Sequence, residues 1–486
     1  MRAATFFWHD YETFGIDSRR DRPSQFAGIR TTLDLEPIGE PVSFYCKLAP
    51  DILPRPLSCL ITGITPRKTE REGVNEAEFA SRVHDELGMP GTCGVGFNSI
   101  RFDDEFTRNL LYRNFYDPYE REWKDGNSRW DIIDVARMAY ALRPEGIEWP
   151  RREDGSPSFR LEDLSAANRL AHARAHDALS DVHATLGLAR LLKLKQPRLW
   201  SFYFGLRQKQ RVLDLLDWTH FNPVLHISSR YAADRGCIAM VAPLTVHPDQ
   251  QNKVIVYDLD VDPTPLIELD PDDIADRVFT SRDALPEDVE RIPLKAVSIN
   301  KSPALAPLSV LRDGDITRVR LDRERCERHL EMLRQAPHVA EKCRRVFATL
   351  RGEAERLDPE LAIYSGFACD ADRKAFPKVR GTPPQSLGTS DFGFKDARCA
   401  DLLFRYRARN YPDSLNPDER DRWETFRRTR LTESTPLTTV TLDLFFAEIE
   451  QARLDSTPFA NKSEILDELT DWGRELVREL APETLA

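Results

Sequence analysis

Near the start of the chain, an aromatic run leads directly into two acidic residues: Phe6-Phe7-Trp8-His9-Asp10-Tyr11-Glu12-Thr13-Phe14-Gly15. Side chains of a strand alternate between its two faces, so we expect Asp10 and Glu12 on the same face at the end of a buried strand. Two like charges held side by side repel each other unless a cation lies between them. A single D-x-E is also typical of an ordinary strand that ends in a polar turn, so other residues must decide between a metal site and a turn.

The composition indicates a soluble globular protein of several domains. The chain has 486 residues, of which 41% are hydrophobic and 31% are charged, and this length exceeds what one hydrophobic core usually serves. No apolar run approaches the ~18 residues of a membrane span. Met1-Arg2-Ala3-Ala4 leads straight into the first predicted strand and leaves no room for a signal peptide, which predicts a cytoplasmic protein without membrane association. The eight cysteines form no C-x-x-C pair, which argues against a structural zinc site or a disulfide framework.

The net charge of −11 disfavours a nucleic-acid partner at first sight, but binding depends on local patches rather than on the total charge. Basic residues cluster in four segments, at 318–328, 342–345, 405–409 and 427–430. Each cluster is compatible with a solvated helix face and with a track for phosphate groups. The charge alone therefore leaves nucleic-acid binding open.

Hydrophobic periodicity divides the chain into three segments. Residues 1–197 combine predicted strands at 3–10, 25–35, 42–48 and 93–98 with predicted helices at 75–87, 103–112, 131–142 and 177–195, which favours an α/β or α+β domain. Residues 200–348 contain short β-rich pieces separated by Pro- and Asp-rich turns, with helical insertions that include 323–333. Residues 349–486 have helical periodicity, interrupted by a predicted loop at 378–390.

Two further motifs supply acidic residues to the first segment. Asn98-Ser99-Ile100-Arg101-Phe102-Asp103 places Asp103 at a strand-to-helix junction, and His176-Asp177-Ala178-Leu179-Ser180-Asp181 places a histidine and a carboxylate at a helix entry. Each acidic residue alone is explained by a favourable interaction with a helix dipole. Together with Asp10 and Glu12, however, four carboxylates suit two Mg²⁺ ions that act on a phosphodiester. His176 could then accept the proton of the attacking water.

The three motifs, D-x-E, N-x-x-x-F-D and H-x-A-x-x-D, resemble those of the DEDDh group of 3′→5′ exonucleases, which share a ribonuclease H-like fold. The chain is most similar to the bacterial exodeoxyribonuclease I family within this group. Segments in all three parts of the chain carry the resemblance: His9–Gly15, Asp21–Pro23, Gln25–Ala27, Ile61–Pro66, Arg101–Glu105, Asn127–Asp131, Ala141–Gly146, Pro157–Glu162, Val241–Leu244, Ile299–Lys301 and Tyr406–Asn410. It is weakest around 378–395 and after about residue 430.

The resemblance implies a role for six residues. Asp10, Glu12, Asp103 and Asp181 would hold two Mg²⁺ ions, with Mn²⁺ as a possible substitute. Glu12 would also approach the 3′-terminal nucleotide, His176 would be the general base, and Arg160 would contact the substrate. All five catalytic positions match the family pattern.

The resemblance also implies an architecture and an activity. The expected fold is a ribonuclease H-like nuclease domain with a mixed sheet (1–197), an SH3-like β-rich domain with helical insertions (200–348) and a helical domain that completes a DNA groove (349–486). The expected activity is processive 3′→5′ hydrolysis of single-stranded DNA to nucleoside 5′-monophosphates, in repair and recombination. The family binds the acidic C-terminal tail of single-stranded-DNA-binding protein, to which the 318–328 cluster could contribute, and the chain is expected to be a monomer.

Other functions remain compatible with the motifs. The three motifs do not specify the sugar, so a related enzyme could act on RNA or proofread for a polymerase, although such domains need only about the first 200 residues. A DNA-binding scaffold with a vestigial site is a third possibility, but clustered carboxylates would repel its phosphate backbone. Aromatic residues would stack on bases in any single-strand groove, although aromatic side chains more often belong to a hydrophobic core; the candidates are Tyr112, Tyr119, Trp123, Trp130, Phe202 and Tyr203.

Overall fold

The computed structural model describes residues 4–170, 177–348, 357–457 and 459–481. Contacts divide the chain into two compact units. The first comprises Met1–Ser128, His172–His183 and Arg356–Ala486, and the second comprises Arg129–Ala171 and Ala184–Glu355. Each unit is therefore built from segments that lie far apart in the sequence.

The described residues form strands and α-helices in both units. The strands are β1 (Thr5–Thr13), β2 (Pro23–Thr31), β3 (Val42–Tyr45), β4 (Thr92–Gly96), β5 (Ser128–Asp131), β6 (Val224–Ile227), β7 (Ile238–Val246), β8 (Lys253–Asp258), β9 (Leu294–Ser298) and β10 (Ala304–Pro307). The α-helices are α1 (Pro56–Thr62), α2 (Pro66–Glu72), α3 (Glu76–Leu87), α4 (Asp103–Arg113), α5 (Ile132–Leu142), α6 (Leu161–Ala167), α7 (Ala178–Lys195), α8 (Pro197–Gly205), α9 (Lys209–Leu213), α10 (Thr264–Glu268), α11 (Pro271–Phe279), α12 (Asp313–Arg318), α13 (Arg323–Gln335), α14 (Val339–Ala348), α15 (Asp370–Gly381), α16 (Arg398–Asn410), α17 (Pro417–Thr432), α18 (Leu442–Leu454) and α19 (Lys462–Leu480). None of these helices is long and apolar enough to cross a membrane.

The sheet of the first unit is mixed, which confirms that part of the predicted fold. Four strands of this sheet lie wholly in the first unit, in the order β3-β2-β1-β4, with β2 antiparallel and β4 parallel to β1. Strand β1 does not end at residue 10 as the sequence suggested, because its pairing with β2 continues through Asp10 opposite Ala27 and Glu12 opposite Gln25. The two carboxylates are thus held by a paired backbone rather than by a turn.

Aromatic side chains of the sheet form a core with the neighbouring helices of the first unit. Phe7, Tyr11 and Phe26 pack with Phe79 of α3 and Leu110 of α4. A second core surrounds Phe14, which directly follows β1, and is built mostly from helices that are distant in sequence, namely α1, α18 and α19. The helical C-terminal region, predicted from its periodicity, therefore packs next to the end of the strand that carries Asp10 and Glu12.

The second unit contains an antiparallel sheet, in agreement with the predicted β-rich segment. Its strand order is β10-β6-β7-β8-β9, and every neighbouring pair is antiparallel. The long strand β7 is buried along nearly its whole length, as expected for a continuous apolar run at the centre of a sheet. Strands β9 and β10 are the two edge strands of this sheet.

The loop predicted at 378–390 is partly wrong. Helix α15 continues to Gly381 although Pro377 lies within it. Proline removes one helical hydrogen bond, but Ala375 and Val379 on either side of it are buried, and Val379 packs in a core with Leu402 and Tyr406 of α16. This tertiary packing outweighs the local preference for a break.

Candidate active site

Asp10 and Glu12 project from the same face of β1. The strand alternation predicted from the sequence places them two residues apart, and pairing with β2 extends beyond both positions. Trp8, on the same face, is fully buried. Glu12 is only 7% exposed, so its carboxylate lies in a largely desolvated position.

Asp181 joins these two carboxylates from the first turn of α7. The turn begins at Asp177, whose Oδ1 accepts a hydrogen bond from the backbone N–H of Ser180 (3.1 Å). One ligand oxygen from each of Asp10, Glu12 and Asp181 lies within 4.8 Å of the other two. Three carboxylates from two distant segments therefore form one cluster.

Asp103 lies next to this cluster but is not one of the three groups within 4.8 Å. It is the first residue of α4 and is 2% exposed. Its Oδ1 accepts a hydrogen bond from the backbone N–H of Tyr11 (3.1 Å), the residue between the two carboxylates of β1. This bond fixes the start of α4 against the strand.

The electrostatics of the cluster are unfavourable without a cation. Burial, followed by the charges of Asp103, Glu12 and Asp181, raises the pKa of Asp10 well above its usual value. Burial, followed by the charges of Asp181, Asp103 and Asp177, raises the pKa of Glu12 to about 8. Buried like charges that raise each other's pKa are common at functional sites, and a bound cation would remove the repulsion.

Sequence reasoning missed a buried ion pair behind the site. Asp104, directly after Asp103, accepts a hydrogen bond from Arg121 Nη2 at 2.5 Å, and both side chains are 2% exposed. The imidazole of His9 is also buried nearby, and burial lowers its pKa to about 4. The sequence signal for this pair was the second of two adjacent aspartates. A metal site would use only Asp103, so Asp104 needed a different partner. Asp177 was missed in the same way, because its position before Asp181 resembles an ordinary helix cap.

Two further residues predicted for the site are His176 and Arg160. His176 lies outside the described residues. Arg160 precedes α6 in the second unit and is largely exposed, with its Nε 3.5 Å from Glu162 Oε2. The predicted roles of both residues, and those of the four carboxylates, remain predictions.

The six aromatic candidates differ in exposure, and two of them, Tyr112 and Tyr119, are half-buried. Trp130 and Tyr203 are fully buried and pack against each other with a centroid distance of 5.7 Å, so neither offers a face to a base. Trp123 is 66% exposed and Phe202 is 38% exposed. Only exposed rings of this kind can stack on a nucleic-acid base.

Four arginines of the basic clusters at 405–409 and 427–430 are buried in ion pairs. The side chains of Arg405, Arg407 and Arg409 on α16 are at most 10% exposed and pair with carboxylates. Arg430 is also buried, with Nη1 2.8 Å from Asp51 Oδ2. These four arginines therefore form neither a phosphate track nor a solvated helix face, although the sequence allowed both.

Comparison with known proteins matches nearly the whole chain to one family. A family model described as "Exonuclease" matches residues 7–189, one described as "Exonuclease I SH3-like domain" matches 207–349, and one described as "Exonuclease I C-terminal domain" matches 357–476. Exodeoxyribonuclease I of Escherichia coli K12 is 48% identical over 429 residues, which cover 87% of this chain and 89% of that protein.

Solved structures extend the similarity to the fold. A moderately thermophilic exonuclease I from Methylocaldum szegediense aligns with a TM-score of 0.94 and 50% identity, covering 98% of this chain and 100% of that one. The zinc-bound form of an E. coli exonuclease I complex with single-stranded DNA aligns with a TM-score of 0.92 and 44% identity, covering 98% of this chain and 100% of that one. Sequence and fold thus agree over both units.

Proposed function

This chain belongs to the exodeoxyribonuclease I family, and on that premise we propose that it hydrolyses single-stranded DNA processively from the 3′ end to nucleoside 5′-monophosphates. The observation that carries the proposal is the cluster of Asp10, Glu12 and Asp181, whose ligand oxygens lie within 4.8 Å of one another in a largely buried site. Such a cluster fits the metal-assisted hydrolysis of a phosphodiester.

The donor set suits Mg²⁺. All three clustered groups, and Asp103 beside them, offer carboxylate oxygens, which are the ligands that Mg²⁺ and Mn²⁺ prefer. The raised pKa of Glu12 and Asp10 indicates a site that lacks positive charge. We therefore assign Asp10, Glu12, Asp103 and Asp181 to two Mg²⁺ ions, for which Mn²⁺ could substitute; when bound, the ions supply charge stabilisation to both oxygens of the displacement.

The remaining chemistry belongs to side chains of the chain itself. His176 accepts the proton of the attacking water, as a general base must. Glu12 approaches the 3′-terminal nucleotide, and Arg160 donates hydrogen bonds to the phosphate backbone, for which a guanidinium is well suited. The exposed guanidinium of Arg160 is compatible with this role.

A single strand is the substrate that we expect for a chain of this length. The domains after residue 200 are not needed for hydrolysis of a terminal nucleotide, but they are suited to holding a strand between successive cleavages. The E. coli relative was solved with single-stranded DNA, which supports DNA over RNA. Repair and recombination are the processes in which such an activity would be used.

The partner and the assembly follow from the same premise. We propose that the acidic C-terminal tail of single-stranded-DNA-binding protein binds to exposed arginines. Of the 318–328 cluster, Arg320 is 71% exposed, whereas Arg318 donates hydrogen bonds to the carbonyl oxygens of Tyr140 and Ala141. A cytoplasmic monomer is the form in which we expect the protein to act.

The proposal is tested with an oligonucleotide labelled at its 5′ end. Removal of nucleotides from the 3′ end gives progressively shorter labelled products, whereas digestion from the 5′ end releases the label as a mononucleotide at once. We expect shortening of single-stranded DNA with Mg²⁺, none with EDTA, and little on duplex DNA or on RNA of the same sequence. Release of labelled mononucleotide, or equal rates on RNA, would show the substrate assignment to be wrong.

The matched variants are Asp181→Asn and Asp370→Asn. Both aspartates lie in the first turn of a helix, but Asp370 is 81% exposed and lies in α15. Loss of a metal ligand should lower the turnover of Asp181→Asn by about 100-fold or more, while Asp370→Asn should retain it. Normal turnover by Asp181→Asn would contradict the metal site.

A further inference from the structure

A cavity of about 520 Å³ opens in the second unit beside the edge strand β9. Its walls come from Asp258 at the end of β8, from β9 itself, and from Phe279 and Phe347 near the ends of α11 and α14. Ligand pockets in proteins have volumes of about 300–1,000 Å³. The cavity is therefore large enough for a small organic ligand, and all its lining residues lie outside the unit that holds the carboxylate cluster.

Two exposed arginines line the cavity. Arg230 and Arg291 line it, and neither forms an ion pair with any residue that the structure describes. Arg291 Nη2 instead donates a hydrogen bond to the carbonyl oxygen of Val278, which holds the guanidinium at the rim. By contrast, Arg235 and Arg325 of the same unit both pair with Asp260. Unpaired guanidinium groups beside a cavity are suited to an anion such as a phosphate.

An aromatic wall accompanies these arginines. Phe279 is 39% exposed, and its ring packs nearly perpendicular to that of buried Phe347 at a centroid distance of 5.4 Å. Tyr231 also lines the cavity and is held in place, since its hydroxyl lies 2.9 Å from His226 Nδ1 and the ammonium group of Lys295 lies 4.7 Å from its ring centroid. A partly exposed ring next to arginines can stack on a nucleobase.

One carboxylate interrupts the positive lining. Asp258 is partly buried, and its Oδ1 accepts a hydrogen bond from the backbone N–H of Asp260 (3.1 Å). A ligand that is negatively charged over its whole length would be repelled by this group. A ligand with a phosphate at one end and an amino group at the other satisfies both the arginines and the carboxylate, since a carboxylate accepts hydrogen bonds from the exocyclic amine of a base.

We propose that this cavity binds a nucleoside monophosphate whose base carries an exocyclic amino group. The phosphate would contact Arg230 and Arg291, the base would stack on Phe279, and its amino group would donate to Asp258. The volume, the unpaired arginines, the exposed ring and the single carboxylate each match one part of such a ligand. The assignment does not depend on the exonuclease activity, although nucleoside monophosphates are also its proposed products.

Binding is measured by titration calorimetry of full-length Asp181→Ala protein in EDTA, so that neither hydrolysis nor metal-held product contributes. The probes are dCMP, dTMP, deoxycytidine and inorganic phosphate. We expect one dCMP per chain, with weaker binding of dTMP, which lacks the amino group, and of the two fragments. Exonuclease activity is assayed separately in the protein with Asp181 intact, so failure of one proposal leaves the other testable.

Variants in the same background locate the site. Arg230→Ala and Arg291→Ala should each weaken dCMP binding by about tenfold. Phe279→Ala should weaken the binding of dCMP and of deoxycytidine but should leave the binding of inorganic phosphate unchanged. Asp258→Asn should bring the affinities for dCMP and dTMP closer together. The control is Arg345→Ala, an arginine of α14 that is 68% exposed and does not line the cavity.

Several outcomes would overturn the assignment. They are no binding of dCMP, phosphate binding as tight as that of dCMP, or an equal loss of affinity in Arg345→Ala. An acidic hexapeptide that displaces dCMP and binds more tightly would reassign the cavity to a peptide. If Asp258→Asn does not fold, the affinities for dCMP and dTMP are compared in the protein with Asp258 intact. Equal affinities would show that Asp258 does not recognise the amino group of the base.

Discussion

Glu12 carries much of the unfavourable electrostatic free energy of the carboxylate cluster. Its side chain is 7% exposed, and burial followed by the charges of Asp181, Asp103 and Asp177 raises its pKa to about 8. The ionised form is needed to bind a metal, yet the fold disfavours that form when no metal is present. The clustered carboxylates therefore lower the stability of the metal-free protein, and the same charges give the site its affinity for a cation.

This predicts a pH-dependent gain of stability in Glu12→Gln. The unfolded chain loses the Glu12 proton near pH 4.5 and the folded protein near pH 8, so the folded state binds more protons between these values and its free energy of unfolding falls as the pH rises. The variant has no such proton to lose. In EDTA at pH 8.5 its free energy of unfolding should exceed that of the wild type by on the order of 2 kcal/mol, and at pH 4 the two should agree.

Urea unfolding at both pH values measures this difference. Saturating Mg²⁺ should stabilise the wild type more than the variant, because ligand binding to the folded state adds to its stability. Glu327→Gln, which alters a glutamate that is 53% exposed, is the control and should behave like the wild type. A variant that is less stable at pH 8.5 would show that Glu12 is not under electrostatic strain.

Helix α4 is anchored at its N-terminus by three acidic residues in its first turn. Asp103 accepts a hydrogen bond from the backbone N–H of Tyr11, Asp104 pairs with Arg121, and Glu105 accepts a hydrogen bond from the hydroxyl of Tyr364. Acidic residues here also interact favourably with the helix dipole. The three anchors point to different neighbours, so they fix both the position and the rotation of the element that presents Asp103.

Breaking the buried pair of Asp104 and Arg121 should therefore destabilise the protein. Arg121→Met removes the buried guanidinium charge that faces the Asp104 carboxylate, which should cost about 3–5 kcal/mol in the free energy of unfolding. The double variant Asp104→Leu/Arg121→Met should recover much of this loss, because no unpaired charge remains. Lys124→Met, which removes an exposed ion pair with Glu120 in the same segment, should cost less than about 1 kcal/mol.

Denaturant unfolding of the wild type, Arg121→Met, Asp104→Leu and the double variant gives the coupling energy directly. The double variant should also show whether the pair of Asp104 and Arg121 positions Asp103. In this variant Asp103 would keep its hydrogen bond to the Tyr11 backbone but would lose the adjacent ion pair. We expect a higher Mg²⁺ concentration for half-maximal activity in the double variant than in the wild type. An additive loss in the double variant would show that the two side chains do not act as a pair.

At the scale of the whole first unit, one buried glutamate joins its N-terminal and C-terminal segments. Glu360 is fully buried, and its carboxylate lies 3.0 Å from Arg22, 3.1 Å from Arg405 and 2.5 Å from Arg409. Arg430 completes the set at 3.4 Å. Burial acts to raise the pKa of Glu360, but the arginines, led by Arg409, outweigh it and hold the pKa well below the usual range.

Glu360→Gln should consequently unfold more easily than the wild type. It leaves several buried guanidinium groups short of negative charge, for an expected loss of about 3–5 kcal/mol at pH 7. Because the folded pKa is lowered, the contribution of Glu360 is present above its unfolded pKa of about 4.5 and is lost as the pH falls below that value. The difference between the two proteins should therefore shrink in acid.

Thermal and urea unfolding between pH 3 and pH 7 test this expectation. Glu475→Gln is the matched control, since its carboxylate is 50% exposed and forms an ion pair with Arg67 between α19 and α2 of the same two segments. We expect it to change the free energy of unfolding by less than about 1 kcal/mol. Equal effects of the two substitutions would mean that burial of the Glu360 network contributes nothing.

Local patterns in the sequence predicted the elements that hold the candidate site. Strand alternation placed Asp10 and Glu12 on one face, and periodicity located α4 and α7, each within one residue of its observed start. The same reasoning could not separate surface charge from buried charge. The sequence allowed Arg405 and Arg409 to form a solvated helix face or a phosphate track, because their partners Asp51, Asp358 and Glu360 lie 45 or more residues away in the sequence.

The sequence by itself determined the family and the residue types of the candidate metal site, because both depend on short motifs, and the mixed sheet was implied by the family resemblance. Only the tertiary structure decided that Asp181 joins Asp10 and Glu12 within 4.8 Å while Asp103 is held beside them by the Tyr11 backbone. It also decided which arginines are consumed in ion pairs and which remain available at the cavity of the second unit. The physical reason is that burial and charge pairing depend on neighbours in space, which the order of residues along the chain does not specify.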